Sequence, residues 1–164
     1  TPLRDAAYVA AKAIVAMVIA FIPIGLIYAI GFGTGAKGET WVWFASAAIV
    51  LFGACLFALY GLVFGLAFKS ESAVGAASGS LVIFAFLGNI FIPLSGVMLT
   101  IAKFTPLYGL VSLARYPLTE GYSVDMEGSL AHEALWVPLA NVGAWTLILT
   151  LLTVYLVRRG RDRQ

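Results

Sequence analysis

The chain alternates between long stretches without a single charge and short polar breaks. Ala13–Ala36, Thr40–Phe68, Ala73–Ala102 and Ala134–Val157 contain no Asp, Glu, Lys or Arg. A helix rises about 1.5 Å per residue, so about 20 apolar residues cross the ~30 Å hydrocarbon layer of a bilayer. Each stretch is long enough. Backbone groups in lipid must be satisfied internally, which only a helix or a closed barrel achieves. Barrel strands would alternate over roughly ten residues, and these runs do not. The pattern predicts an all-α polytopic membrane protein, a single transmembrane domain over 1–164 with spans at 10–32, 41–68, 74–92 and 134–157.

The breaks are legible as well. Gly31-Phe32-Gly33-Thr34-Gly35-Ala36-Lys37-Gly38 reads as a turn, because clustered glycines interrupt helices. Lys69-Ser70-Glu71-Ser72 reads as a polar hinge, with Ser72 placed to cap the third span. Pro93-Leu94-Ser95-Gly96 ends that span near Ile92, since proline cannot continue a helix. Pro23 is expected to kink the first span, and Pro138 falls in the first turns of the last, where proline is tolerated.

Lys and Arg set the direction. With the N-terminus inside, the cytoplasmic side holds Arg4, Lys12, Lys69, Arg158, Arg159, Arg161 and Arg163, and the outer side only Lys37, Lys103 and Arg115. Both ends are therefore expected in the cytoplasm, with 158–164 as a cytoplasmic tail, in a multi-pass protein of the cell membrane. Trp41, Trp43 and Trp136 then fall at outer span ends, where indoles favour the headgroup layer. The region between Leu94 and Glu133 must begin and end outside, yet Val97–Ala102 and Phe104–Ala114 are apolar. Eleven residues rise only about 16 Å, too little to cross. The expectation is a re-entrant helical hairpin over 97–118, dipping into the outer leaflet and returning. Such backbone is tolerated only where protein or a water-filled cavity covers it, which marks the segment as a candidate for function.

Composition narrows the class. The chain is 62% hydrophobic and 11% charged, where a soluble domain is about 25% charged, so neither a soluble fold nor a disordered chain is expected. One cysteine, Cys55, and one histidine, His132, leave no disulfide and no multi-histidine metal site within the chain. No nucleic-acid partner is expected, because the basic residues form no stripe with interleaved aromatics. The chain opens on Thr1 with no charged region ahead of the first apolar run, and so shows no signal-peptide pattern.

Candidate chemistry is sparse. Gly33–Thr40 has glycines, a lysine and a threonine, but not in the Gly-Lys-Ser/Thr order of a phosphate loop. His132-Glu133 lacks the second histidine of a zinc helix. Ser78-Gly79 and Ser95-Gly96 lack a nearby histidine base, so intramembrane hydrolysis is the weakest alternative. No span carries a deep charge, as ion-coupled carriers generally require. Asn89 and Asn141 are the conspicuous polar residues within spans, and either lines a pathway or bonds a neighbouring helix. Gly61/Gly65 and Gly75/Gly79 have the spacing of close helix contacts. Arg115 is open to two readings: snorkelling to headgroups, or anchoring the hairpin to one of Glu120, Asp125, Glu127 and Glu133.

Three stretches together resemble the membrane subunit of a type-2 ABC exporter, the permease class that includes daunorubicin-resistance-type drug exporters. Thr1-Pro2-Leu3-Arg4-Asp5, followed by Lys12, is similar to the family's cytoplasmic coupling region. Phe91-Ile92-Pro93-Leu94-Ser95-Gly96 is similar to the break after its fifth span, and Phe104–Arg115, with Pro106, Tyr108 and Arg115, to its extracellular re-entrant hairpin. Ser112 stands where many relatives carry an acidic residue. The resemblance implies that the four spans correspond to the family's third to sixth. It also implies that 1–9 form a segment through which Thr1, Pro2, Leu3, Arg4 and Asp5 engage an ATPase, and that Pro106, Tyr108, Ser112 and Arg115 belong to the hairpin. The implied partners are cytoplasmic ABC ATPase subunits, which would bind ATP and Mg, a second permease copy and membrane lipids. This chain itself would bind no cofactor and catalyse no reaction. The implied function is ATP-driven export of an amphipathic drug-like or lipid-like substrate, with a standalone carrier or channel as the alternative.

Overall fold

The computed structural model describes residues 5–68 and 70–161. The proposed coupling residues Thr1, Pro2, Leu3 and Arg4 lie outside the described residues, and Asp5 opens the first helix. The helices are α1 (Asp5–Gly33), α2 (Thr40–Ala67), α3 (Ser70–Leu87), α4 (Gly96–Ala102), α5 (Pro106–Thr119) and α6 (Trp136–Arg161). Two short strands, β1 (Tyr122–Val124) and β2 (Leu130–His132), separate α5 from α6.

Three helical stretches are long and apolar enough to cross a membrane: Ala10–Gly33, Thr40–Ala67 and Trp136–Gly160. They coincide within a few residues with the first, second and fourth expected spans. The third differs. The sequence reading ran it from 74 to 92, but α3 runs Ser70–Leu87, and its apolar part, Ser72–Leu87, is shorter than the other three. Pro93 is not what stops it. The Gly88 amide closes onto the Phe84 carbonyl at 2.6 Å, and Asn89 turns left-handed at φ 57°. Asn is one of the few side chains that tolerates this conformation, a common helix terminator. Asn89 Oδ1 then accepts from the Leu94 amide at 2.8 Å, fixing the link to α4. Ser72, expected as a cap, lies inside α3.

The contacts divide into two compact units. The first comprises the chain up to Lys37, Val50–Ala77 and the chain from Thr146 onward. Among the described residues its buried positions are Gly53, Leu56 and Tyr60 on α2, Ala73 on α3, and Leu149 and Thr153 on α6. Along α2 and the residue just past its end, Phe57, Tyr60, Phe64 and Phe68 follow helical spacing, so each ring meets the next, with centroids 4.8 to 5.9 Å apart. The apolar window of α1 buries none of its residues inside the structure. A helix apolar on all sides, with one face half-buried at Ala13, Ala16, Met17, Ala20, Ile24 and Tyr28 and the rest exposed, is suited to lipid or to another apolar chain, not to water.

The second unit, Gly38–Ile49 with Ser78–Trp145, contains the bent pair α4 and α5, whose axes turn by 94°. Pro106 at the first turn of α5 suits the bend, because the missing amide is one a helix start leaves unpaired anyway. The β-hairpin was not anticipated by the all-α reading. Tyr122 pairs with His132 and Val124 with Leu130 in antiparallel register. Its turn is closed by Asp125, whose Oδ1 accepts from the Glu127 and Ser129 amides at 2.9 and 2.8 Å. This is the self-bonding that favours Asp in turns.

Candidate functional site

The site is built on the corner between α4 and α5. Helix α4 ends with the Lys103 amide on the Leu99 carbonyl, and the Thr105 amide and hydroxyl both reach the Ala102 carbonyl at 2.8 Å. This tight corner leaves the Lys103 and Phe104 carbonyls outside the helical ladders, and the Thr105 carbonyl, at the N-cap of α5, keeps a second lone pair open. Two residues one turn apart on α6 supply the donors. Asn141 Nδ2 donates to the Lys103 and Thr105 carbonyls at 2.7 and 3.1 Å, and Trp145 Nε1 donates to the Phe104 carbonyl at 2.9 Å. The Asn141 Oδ1 atom is buried and faces Gly109 on α5. A Cβ at Gly109 would lie 2.5 Å from Asn141 Cγ and 2.8 Å from its Cβ, so α5 approaches α6 only because residue 109 has no side chain.

A polar cluster locks the same corner from the other side. Tyr108, 5% exposed, donates its hydroxyl to Glu133 Oε1 at 3.0 Å. Lys103 Nζ lies 3.1 Å from that oxygen, with Glu133 the more buried partner. Glu133 is held in place by its backbone: its amide donates to the Gly121 carbonyl at 2.9 Å. Gly121 sits at φ 84°, and a Cβ there would collide with the Glu133 carbonyl and lie 2.9 Å from Tyr116. The loop that closes α5 thus places the carboxylate beneath the phenol.

Between α5, the turn after α3 and the β-hairpin lies a cavity of about 410 Å³. It gathers Asn89, Tyr108, Ser112, Arg115 and Glu133 on one lining, with Ile90, Val111, Val124 and Leu130 among the apolar remainder. Of the residues singled out in the sequence, Asn89, Tyr108, Ser112 and Arg115 therefore meet in one cavity. Pro106 is buried at the start of α5, and Asn141 binds the corner from α6. Arg115 does not pair with any of the four acids considered for it: its Nη1 donates to the Asn89 carbonyl at 3.0 Å. The reason is geometric, since Glu133 is engaged by Tyr108 and Lys103, while the left-handed turn at Asn89 leaves its carbonyl free of the α3 ladder.

The sequence reading did not single out Lys103, Gly109, Gly121 or Trp145. A signal for the ion pair was present: Lys103 and Glu133 are lone charges bordering apolar segments, and such charges at the edge of low-dielectric surroundings favour each other's company. Among the described residues no group of His, Cys, Asp or Glu could hold a metal ion. Compared with protein-family models, with curated proteins and with solved structures, the chain matches none.

Removing the shared acceptor should reveal the cluster's internal order. Glu133→Ala removes the carboxylate acceptor of the buried Tyr108 hydroxyl, leaving it only its hydrogen bond with Ser112, and leaves Lys103 unpaired; it is expected to cost about 1–3 kcal/mol. Tyr108→Phe in the intact protein should cost about 1 kcal/mol. Introduced on top of Glu133→Ala, it should cost little or nothing further, because it deletes a hydroxyl that has already lost its carboxylate acceptor. Unfolding midpoints of the four proteins in one detergent check this, and equal losses from Tyr108→Phe in both backgrounds would refute it.

Proposed function

We propose that the chain is the transmembrane subunit of an ATP-driven exporter that moves an amphipathic drug-like or lipid-like substrate out of the cytoplasm. The observation that carries this reading is the bent pair α4–α5. Neither helix is long enough to cross a bilayer. Their corner is tied to α6 by three side-chain donations, and an amphipathic cavity adjoins them. Non-helical backbone at membrane depth requires such protein cover, and a rigid hairpin beside a cavity suits a gate at the mouth of a path. The resemblance of Phe104–Arg115 to the re-entrant hairpin of type-2 ABC exporters supports the same reading.

On this reading α1, α2, α3 and α6 cross the cell membrane, and α4–α5 enters from the outer side and returns. Helix α3 spans by local thinning of the bilayer, which short helices commonly induce. Both ends are cytoplasmic, which leaves seven cations inside and three outside as counted above. A second copy completes the pathway as a homodimer. Cytoplasmic ABC ATPase subunits bind ATP and Mg and engage Thr1–Asp5, converting their closure into helix movement, while this chain holds no cofactor.

The test uses the full-length protein in its own membrane. Affinity purification should retain an ATPase subunit, and export should stop when ATP is depleted. Failure to retain a nucleotide-binding partner, with export that continues without ATP, would make the protein a standalone carrier or channel. Topology is checked separately in a Cys55→Ala background. A membrane-impermeant maleimide should label Ala36→Cys and Glu127→Cys in intact cells, and Ser70→Cys only after permeabilisation. The reverse pattern would overturn the orientation.

A further inference from the structure

The charges around the cavity do not balance locally. Glu133 is the one carboxylate on its lining, and it already accepts from the Tyr108 hydroxyl and pairs with Lys103, which lies outside the cavity. Arg115 lines the cavity, is exposed, and among the described residues has no carboxylate within ion-pair distance. Among the described residues its one side-chain hydrogen bond, from Nη1 to the Asn89 carbonyl, uses one of five guanidinium N–H groups and neutralises nothing. A planar guanidinium with free donors is the side chain best matched to a carboxylate or phosphate. Beside it the Ser112 side chain also lines the cavity. The lining is mixed, with Thr119 and Ser123 adding hydroxyls, but it carries an apolar side: Val111 lines it from α5, and Ile90, Val124 and Leu130 are 38%, 53% and 75% exposed, so they cover no core of their own. A volume of about 410 Å³ falls within the ~300–1,000 Å³ of small-molecule sites.

We propose that this cavity binds the anionic head of an amphiphile, a phosphate or carboxylate joined to an alkyl chain, with Arg115 as its counter-ion and the Ile90–Val124–Leu130 side as the bed for the chain. A bilayer lipid and a free amphiphile share this recognition chemistry. The site stands independently of coupling to an ATPase, and binding reads it without transport.

The full-length protein in phosphatidylcholine nanodiscs, titrated calorimetrically with octyl phosphate, tests the proposal. Binding is expected, and it should weaken at least tenfold in Arg115→Gln and less in Arg115→Lys, which keeps the charge but loses the fork. Because Arg115→Gln also removes the bond to Asn89, Ser123→Trp provides a second variant. Ser123 is exposed on β1 and lines the cavity, so the indole fills the space without disturbing the corner, and it too should abolish binding. Octyltrimethylammonium binding as well as octyl phosphate would overturn the proposal, as would inorganic phosphate matching octyl phosphate. Unchanged octyl phosphate affinity in both Arg115→Gln and Ser123→Trp would overturn it as well. Phosphatidylglycerol in the disc that competes with octyl phosphate assigns the site to a lipid headgroup; binding untouched by it assigns the site to a free amphiphile.

Discussion

Gly109→Ala should lower the unfolding free energy of the protein by about 2–4 kcal/mol, although it adds a single methyl group. Elsewhere on an apolar helix the same change is close to neutral or stabilising, since alanine is the better helix former. Here the new Cβ would sit within 2.8 Å of three Asn141 side-chain atoms. Overpacking of this kind costs about 1–3 kcal/mol. Pushing Asn141 aside also breaks its donations to the Lys103 and Thr105 carbonyls, each of which costs about 1–3 kcal/mol when left unmet. Asn141→Ala alone should therefore cost a similar amount by the second route. The double variant separates this account from a general loss of packing. Removing the Asn141 side chain vacates the space that the alanine needs, so Gly109→Ala on an Asn141→Ala background should cost almost nothing. Such coupling is the expected signature of residues that share one contact. Costs that simply add would show that the two positions act independently. The comparison is made by denaturant titration of all four proteins in the same detergent, with Gly143→Ala on α6, where a Cβ meets nothing within 4 Å, as the benign control.

What the sequence disclosed followed from the cost of charge in lipid. Charge-free runs bounded by Lys69, Glu133 and Arg158 located three long helices to within a few residues of Ala10–Gly33, Thr40–Ala67 and Trp136–Gly160. The re-entrant pair was visible because Val97–Ala102 and Phe104–Ala114 are apolar runs on either side of Lys103, each too short to span. The end of α3 was not visible. A left-handed Asn89 depends on satisfying Leu94 and on the contact from Arg115, twenty-six residues later, and no local pattern carries that information. The β-hairpin was more accessible than it proved: Asp125 and Gly128 form a turn signal between Tyr122-Ser123-Val124 and Leu130-Ala131-His132. It was passed over because the whole segment read as an outer loop.

The candidate site was legible in its membership but not in its wiring. Tyr108, Ser112 and Arg115 share helical spacing on α5, so their presence on one cavity follows from the element itself. Their partners come from elsewhere in the chain. Asn141 looked like an isolated polar group in an apolar span, open to either a pathway or a packing role. Its two donations are to backbone carbonyls of the α4–α5 corner. Gly109 carried no sequence signal at all, since its meaning lies in the distance to α6 rather than in its neighbours.

Arg115→Ala should reduce transport by up to about tenfold while leaving insertion and expression unchanged. The guanidinium joins three pieces of the second unit. It sits on α5, its Nη1 donates to the Asn89 carbonyl at the end of α3, and Asn89 in turn holds the Leu94 amide ahead of α4. A hydrogen bond from a charged donor contributes about 1.5–3 kcal/mol. Exposure of Arg115 to solvent places it toward the lower end, and about 1.4 kcal/mol corresponds to a tenfold change in an equilibrium. If export requires the clasped arrangement, that is the upper bound on the factor by which its population, and hence transport, falls. Stability should barely register the change, because the Tyr108–Glu133–Lys103 cluster and the Asn141 and Trp145 donations remain. The two alternatives for Arg115 left open by the sequence then separate. A residue that only snorkels to headgroups would be replaced by Lys without loss. A clasp that depends on guanidinium geometry would recover only in part, because an ammonium on a flexible stem reaches the Asn89 carbonyl at a greater cost in rotamer freedom. Transport per inserted molecule, measured for Arg115→Ala and Arg115→Lys, decides between them. Full activity in both would reduce Arg115 to an interfacial anchor and remove α5 from the gating role.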